Sequence, residues 1–241
     1  MFNLDKLVAC RVCLDKPKPT PHIWKMDRKP ALSASDVDLI RKETAHQGYF
    51  RVDRYHLRHR QFSGAKGPEI SREIFERGHA AAVLMYDPGM DVLVFIEQFR
   101  PGAFAALSSP WYNEDQSPWL IEIVAGIIEN GEDPEDVVRR EAVEEAGCSV
   151  NELELISHYL VTPGGSSESM FSYCGRVDAS DVGGVHGLVE EGEDIRVFTM
   201  KPEDAFKAVD TGCIQNSMTI IPVLWFRNNR ERLRKQWRRA P

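Results

Sequence analysis

Between Tyr49 and Arg60 the chain reads YFRVDRYHLRHR, an alternation of large apolar and charged residues with the period of a half-buried strand. The alternation continues from Ser71 to Gly78. Two apolar runs follow, AAAVLMYD at Ala80 to Asp87 and DVLVFIEQF at Asp91 to Phe99, and the short PGM between them predicts a hairpin. Arg100 to Trp119, rich in Pro, Ser, Ala and Trp, reads as a loop. WLIEIVAG then predicts a strand that delivers the chain to Gly126. Later strands are expected in LELISHYLVT and SMFSYCGRV, separated by TPGGSSE at Thr162 to Glu168, and in IRVFTM after the Gly-punctuated stretch GGVHGLVEEGED. Two helical segments close the pattern, Pro202 to Asp210 and Ser217 to about Trp237, the second with Pro222 near its start. No internal repeat is visible. Strands around one buried helix, with more helices near the end, predict an α/β sandwich.

The buried helix lies within GIIENGEDPEDVVRREAVEEAGC, residues Gly126 to Cys148. Asp133 suits the N-cap, Pro134 the first helical position and Gly147 the left-handed residue that ends a helix, so the helix runs roughly from Pro134 to Ala146. At about 100° per residue, Val138, Ala142 and Ala146 form a narrow stripe of small side chains able to lie close against a sheet. Glu141, Glu144 and Glu145 stand beside that stripe in one arc. Like charges at these spacings destabilise a helix by a few tenths of a kcal/mol per pair, and by more on a covered face, so something positive should compensate. Two compensations suit the pattern. One is a solvated acidic face screened by Arg139 and Arg140. The other is a hard divalent cation such as Mg²⁺, which takes carboxylate oxygens and completes its octahedron with water and substrate phosphates.

Composition bears on this choice. A length of 241 residues suits one large domain, or one with a small extra piece, and 42% hydrophobic residues supply a core. The net charge of −7 gives no reason to expect nucleic acid, and an acidic enzyme with an anionic substrate needs cations at its site. The basic run RNNRERLRKQWRR at Arg227 to Arg239 reads as a solvated helical end whose Leu233 and Trp237 pack on the body. No apolar run approaches a membrane span, and MFNLDKLVAC lacks the apolar core of a signal peptide, so a cytoplasmic protein is expected. Cys10, Cys13, Cys148, Cys174 and Cys213 are odd in number and scattered, which fits a reducing compartment. Cys10 and Cys13 form a C-x-x-C with His22 nearby, but no second C-x-x-C accompanies it, and plain thiols in an N-terminal extension are expected.

Gly126, Glu132, Arg140, Glu141, Glu144, Glu145 and Gly147 stand in the order G-x5-E-x7-R-E-x-x-E-E-x-G. The chain resembles the Nudix hydrolases at all of these fixed positions, with Cys148 where the family usually carries a larger aliphatic residue. So long a match is far more specific than a lone Gly-rich motif, and it favours the metal over the solvated face. The resemblance implies an α/β/α sandwich with a mixed sheet plus an N-terminal β region. It also implies Mg²⁺-dependent hydrolysis, with Mn²⁺ as the alternative ion, of a nucleoside diphosphate linked to another group. Outside the box, SREIFERGHA, FIEQFR, TPGGSSE and GLVEEGEDIRV resemble ADP-ribose pyrophosphatases of the bacterial type, over roughly residues 37 to 226. On that resemblance residues 1–36 are an extension, 37–78 a strand region for dimerisation and substrate contacts, and 79–241 the catalytic domain. The loop from Pro101 to Pro118 is longer than usual for the family.

Carried over residue by residue, the resemblance implies that Glu141 and Glu145 bind the metal, helped by the backbone carbonyl of Ala125, with Glu144 in support and Glu193 completing the site. Glu191 matches the loop glutamate that activates water, with Glu190 and Glu193 as competitors for that role. Arg72, Arg77 and Arg100 match positions that hold phosphates and the terminal ribose; Glu73 and Glu168 match positions that accept from substrate hydroxyls or orient those arginines. Tyr49 and Phe50, expected on an early strand, match an aromatic pair that reaches across a homodimer to stack on adenine. Ile127 beside the box, and Thr162, Pro163 and Gly164 beside the ribose, complete the expected substrate set. The implied reaction is cleavage of ADP-ribose to AMP and ribose 5-phosphate. The alternatives are another nucleoside diphosphate sugar such as GDP-mannose, and a nucleotide-sensing module without turnover. Intact Glu141, Glu144 and Glu145 argue against the last.

Overall fold

A computed structural model of the chain describes residues 32–112, 115–188 and 192–238. The described residues form two compact units, one made of those up to Leu39 together with Leu57–Ile70, the other of Ile40–His56 together with those from Ser71 onward. The Cys10/Cys13 pair and His22 lie outside the described residues. In the first unit Ser33 caps a short 3-10 turn, Ala34–Asp36: the Asp36 carboxylate accepts from the Ser33 N–H at 2.9 Å. Lys66 pairs there with Asp38 at 2.5 Å.

Strands β1 (Val37–Gln47), β2 (Arg51–His59) and β3 (Ile70–Glu76) form a three-stranded sheet in that order. The alternation of β2 buries Asp53, and three donors compensate the buried carboxylate: Lys42 at 2.9 Å, Arg51 at 3.0 Å and the Thr44 hydroxyl at 2.9 Å. Tyr49 and Phe50 are not on a strand. They stand in the tight turn between β1 and β2, closed by a 2.9 Å hydrogen bond from the Gly48 N–H to the Phe50 carbonyl. The apolar–charged alternation continues through a turn as readily as through a strand, which is why the strand was expected to begin too early.

The main sheet contains β4 (His79–Asp87), β5 (Val92–Phe99), β6 (Trp119–Glu122), β7 (Val124–Ile128), β8 (Leu153–Leu160), β9 (Ser169–Arg176), β10 (Gly184–His186) and β11 (Ile195–Met200). Its order is β10-β11-β5-β4-β9-β8, with β6 on β5 and β7 on β4. The β4–β9 pair is parallel and the other pairs are antiparallel, so the sheet is mixed. The β4–β5 hairpin is paired only at Met85–Asp87 with Val92–Val94; farther on, β5 takes β6 and β4 takes β7. WLIEIVAG is therefore two short strands divided at Ile123, because this segment leaves one arm of the forked hairpin for the other. The segment expected as a loop after Arg100 also contains a short helix, α1 (Pro101–Ala106), whose first position is filled by a proline.

Alternate residues of β4 serve opposite cores. Ala81, Val83 and Met85 pack with Val137, Val138, Ala142 and Ala146 of α2 (Pro134–Ala146) on one face. Ala82, Leu84 and Tyr86 pack on the other with Val223, Phe226, Leu233 and Trp237 of α4 (Ser217–Trp237) and with Ala205 of α3 (Pro202–Asp210). This is the three-layer α/β/α sandwich that was expected, and each large side chain buried in it contributes roughly 1.5–3 kcal/mol. Leu233 and Trp237 pack as foreseen. The basic run around them is largely paired within the chain: Arg230 with Asp91 at 2.6 Å and Glu203 at 2.5 Å, Arg232 with Glu154 at 2.6 Å, and Arg227 with Asp210 at 2.9 Å. No helix among the described residues is long and apolar enough to cross a membrane.

Candidate active site

The α2 helix starts and stops as its residues require. The Asp133 side chain accepts from the Glu135 N–H at 2.8 Å, and Gly147 takes φ 63°, which lets its own N–H reach the Val143 carbonyl at 3.0 Å and the Cys148 N–H reach that of Ala142 at 2.9 Å. With both ends set, the small-residue stripe lies on β4 and β7, and Glu141 and Glu145 are carried in against the sheet with it. Gly126 on β7 explains how Glu141 fits: a Cβ there would stand 2.0 Å from Glu141 Oε1 and 2.5 Å from its Cγ. Only a bare backbone leaves room for this carboxylate over the strand.

Burial makes these acids unusual. Glu145 is 5% exposed, and burial pushes its carboxyl up to about 8, with the charges of Glu141 and Glu193 adding to the shift and the Ala125 N–H, 3.2 Å from Oε2, opposing it. Burial also raises Glu141, with Glu144 and Glu193 adding and Arg140 opposing. Glu141 and Glu144 share one donor, Arg140 Nη1, at 2.8 Å and 3.1 Å, and the Leu188 N–H gives to Glu193 Oε2 at 2.9 Å. Among the described residues no three His, Cys, Asp or Glu side chains are drawn together as a cage. Glu141 and Glu145, both raised by burial and by the charges of neighbouring acids, fit a hard divalent cation, whose charge would offset both penalties. Glu132 does other work: its carboxylate accepts from the Glu129 N–H at 2.9 Å and stands 3.8 Å from Arg140. Arg139, which the solvated-face alternative would have screening the acids, turns to the carbonyls of Val150 and Asn151.

The NUDIX domain family matches residues 76–213, and the chain is 43% identical over 214 residues to an ADP-ribose pyrophosphatase of Escherichia coli strain K12, covering 88% of this chain and 99% of that one. The chain belongs to the NUDIX family. It is also 33% identical over 150 residues to a GDP-mannose pyrophosphatase of Escherichia coli, covering 62% of this chain and 74% of that one. A crystal structure of an ADP compounds hydrolase matches the fold with a TM-score of 0.60 and 18% identity, over 86% of this chain and 98% of that one.

Around the NUDIX box a second cluster gathers. Tyr49, 88% exposed, meets Phe50 edge-on at 4.8 Å; Phe50, 39% exposed, meets Phe75 at 4.9 Å and lies beneath Arg77, whose guanidinium is 6.0 Å from its ring. Arg77 pairs with the buried Glu168 at 3.2 Å. The turn before Glu168 is fastened to β3: the Phe75 N–H donates to the Gly165 carbonyl at 2.8 Å and the Ser166 hydroxyl to the Phe75 carbonyl at 3.0 Å, which leaves Thr162, Pro163 and Gly164 exposed at its crest. Ile127, partly exposed, lies next to Gly78 and so links β7 to this cluster. Two expected residues are not gathered in. Arg72 gives its Nη1 to the neighbouring Ser71 carbonyl, and Glu73 pairs with Arg54 at 2.7 Å. Glu190 and Glu191 lie outside the described residues. Two residues that sequence reasoning missed stand against expected ones, Phe75 against Phe50 and the buried Glu122 against Arg100. A lone charge in the otherwise apolar WLIEIVAG was the available signal for Glu122.

Proposed function

We propose that this chain is a Mg²⁺-dependent hydrolase that cleaves the pyrophosphate bond of ADP-ribose, giving AMP and ribose 5-phosphate. The observation that carries the reading is Glu145, a buried carboxylate raised to about 8 beside Glu141, with Gly126 opening the space between helix and strand. The substrate is supported by the match to the Escherichia coli ADP-ribose pyrophosphatase over 99% of that chain. Glu141, Glu145 and Glu193, with the Ala125 carbonyl and with Glu144 in support, would hold Mg²⁺ or Mn²⁺. A divalent ion bound there supplies charge neutralisation at the diphosphate and acidifies a water.

The remaining work falls to the chain. Glu191 takes the proton from the attacking water; the flanking Leu188 and Glu193 are joined to each other by hydrogen bonds of 2.9 and 3.2 Å. Arg72, Arg77 and Arg100 hold phosphate and terminal-ribose oxygens, Glu168 orients Arg77, and Glu73 accepts from a substrate hydroxyl. Thr162, Pro163 and Gly164 border the ribose, and Ile127 contacts the substrate beside the box. Tyr49, exposed on its turn, and Phe50 stack on adenine across a homodimer, with residues 37–78 forming the dimerising region and 79–241 the catalytic domain. The protein acts in the cytoplasm, without nucleic acid or membrane, a reading supported by the internal pairing of the arginines on α4. The GDP-mannose relative keeps a second nucleoside diphosphate sugar in view.

The deciding experiment incubates purified protein with ADP-ribose, GDP-mannose and dinucleotides in Mg²⁺ or Mn²⁺ and identifies the products. Preferred release of AMP from ADP-ribose is expected, and preferred release of GMP from GDP-mannose would replace the substrate assignment. Glu191→Gln should lower kcat about 10²–10⁴-fold at an unchanged Mg²⁺ requirement, whereas Glu193→Gln should raise that requirement as well. Exchanged phenotypes would exchange the roles.

A further inference from the structure

The geometry points to Glu122 as a positioning residue that fixes Arg100 with its outer nitrogens free for the diphosphate. Glu122 closes β6 and is 95% buried in its side chain, whereas Arg100 keeps 40% of its side chain exposed. Arg100 Nε donates to Glu122 Oε2 at 2.7 Å, a charge-assisted bond on the inner edge of the guanidinium. Bonding through Nε leaves Nη1 and Nη2 without another partner among the described residues, and these are the two donors that grip phosphate as a fork. The backbone is held too: the Arg100 N–H donates to the Pro118 carbonyl at 2.9 Å.

The pair is mutually dependent: burial raises the Glu122 carboxyl, and the first influence opposing that rise is the Arg100 charge.

This inference rests on the proposed function, and its test separates the two. Wild type, Glu122→Gln, Glu122→Asp, Arg100→Ala and the Arg100→Ala/Glu122→Gln double variant are assayed for ADP-ribose hydrolysis, and ADP-ribose affinity is measured by calorimetry in EDTA, where turnover plays no part. Glu122→Gln should lower kcat/KM about tenfold, mostly through KM, and weaken ADP-ribose binding in EDTA, with the melting temperature preserved. Glu122→Asp should recover part of the loss, and the double variant should be no worse than Arg100→Ala, because Glu122 acts only through that arginine. Wild-type kinetics in Glu122→Gln, or losses that add in full in the double variant, would overturn the positioning role while leaving the function in place. Absence of turnover by the wild type would remove the function and this inference with it.

Discussion

Glu141, Glu144 and Glu145 reach their places from little more than one turn of α2, whereas Phe50, Phe75, Arg77 and Glu168 come together from the β1–β2 turn, the end of β3, the residues just after it and the turn before β9. In the first group the spacing along the chain is the geometry, because a helix converts i, i+3 and i+4 into neighbours. In the second nothing local brings the residues together; they meet because the Thr162–Glu168 turn is hydrogen-bonded to Phe75. The regions also differ in energetics. The box stores unfavourable charge burial and should respond sharply to changes of charge or space, whereas the aromatic cluster is partly solvated and should respond by degrees.

Glu145→Gln tests the strained side of this contrast most severely. Turnover should fall by about 10³-fold or more, since several kcal/mol of charge stabilisation depend on the ion it helps hold. Stability in EDTA should move the other way. The folded carboxyl is raised to about 8 from an ordinary value of 4.5, so the folded protein holds a proton that the unfolded chain releases first. Wild-type stability should therefore decline as pH rises from about 5 to 8, and Glu145→Gln should flatten that slope and be the more stable protein at pH 8. Denaturant titrations in EDTA across that range check both statements.

Gly126→Ala comes next. The new Cβ would displace the flexible Glu141 side chain without displacing backbone, so the fold should survive while activity drops about 10²-fold. Circular dichroism together with kinetics separates these; unfolding would mean that the close approach serves packing and not Glu141.

Tyr49→Ala probes the other region. Loss of one stacking face should raise KM about tenfold with little change in kcat, and size-exclusion chromatography of the wild type should show a dimer. A monomer with full activity would detach the aromatic pair from the site. The smallest effect is expected from Glu73→Gln, whose partner Arg54 stands at the surface. The denaturation midpoint should stay unchanged, and any rise in KM would then report substrate contact alone.

How much was legible beforehand follows the same division. The Asp133 cap, Pro134, the terminal Gly147 and the two closing helices were read from local signals and stand where expected, because caps, prolines and left-handed glycines act within one turn of chain. The division of WLIEIVAG at Ile123 was not legible, since an unbroken apolar run does not reveal that its halves pair with different strands. Tyr49 and Phe50 were placed on a strand for a related reason: alternation marks which side chains face a surface, not where the backbone turns.

By itself, then, the sequence determined the helix that carries the acids, their shared arc and the family to which the box belongs, all of them consequences of residue type at short range. Only the tertiary structure decided that Gly126 makes room for Glu141, that burial raises Glu145 to about 8, that Glu168 holds Arg77, and that Glu122 holds Arg100. Each of these depends on how closely two distant segments approach and how much water they exclude. Those quantities set the strength of a charge interaction, and they exist only once the sheet and its covering helices are packed.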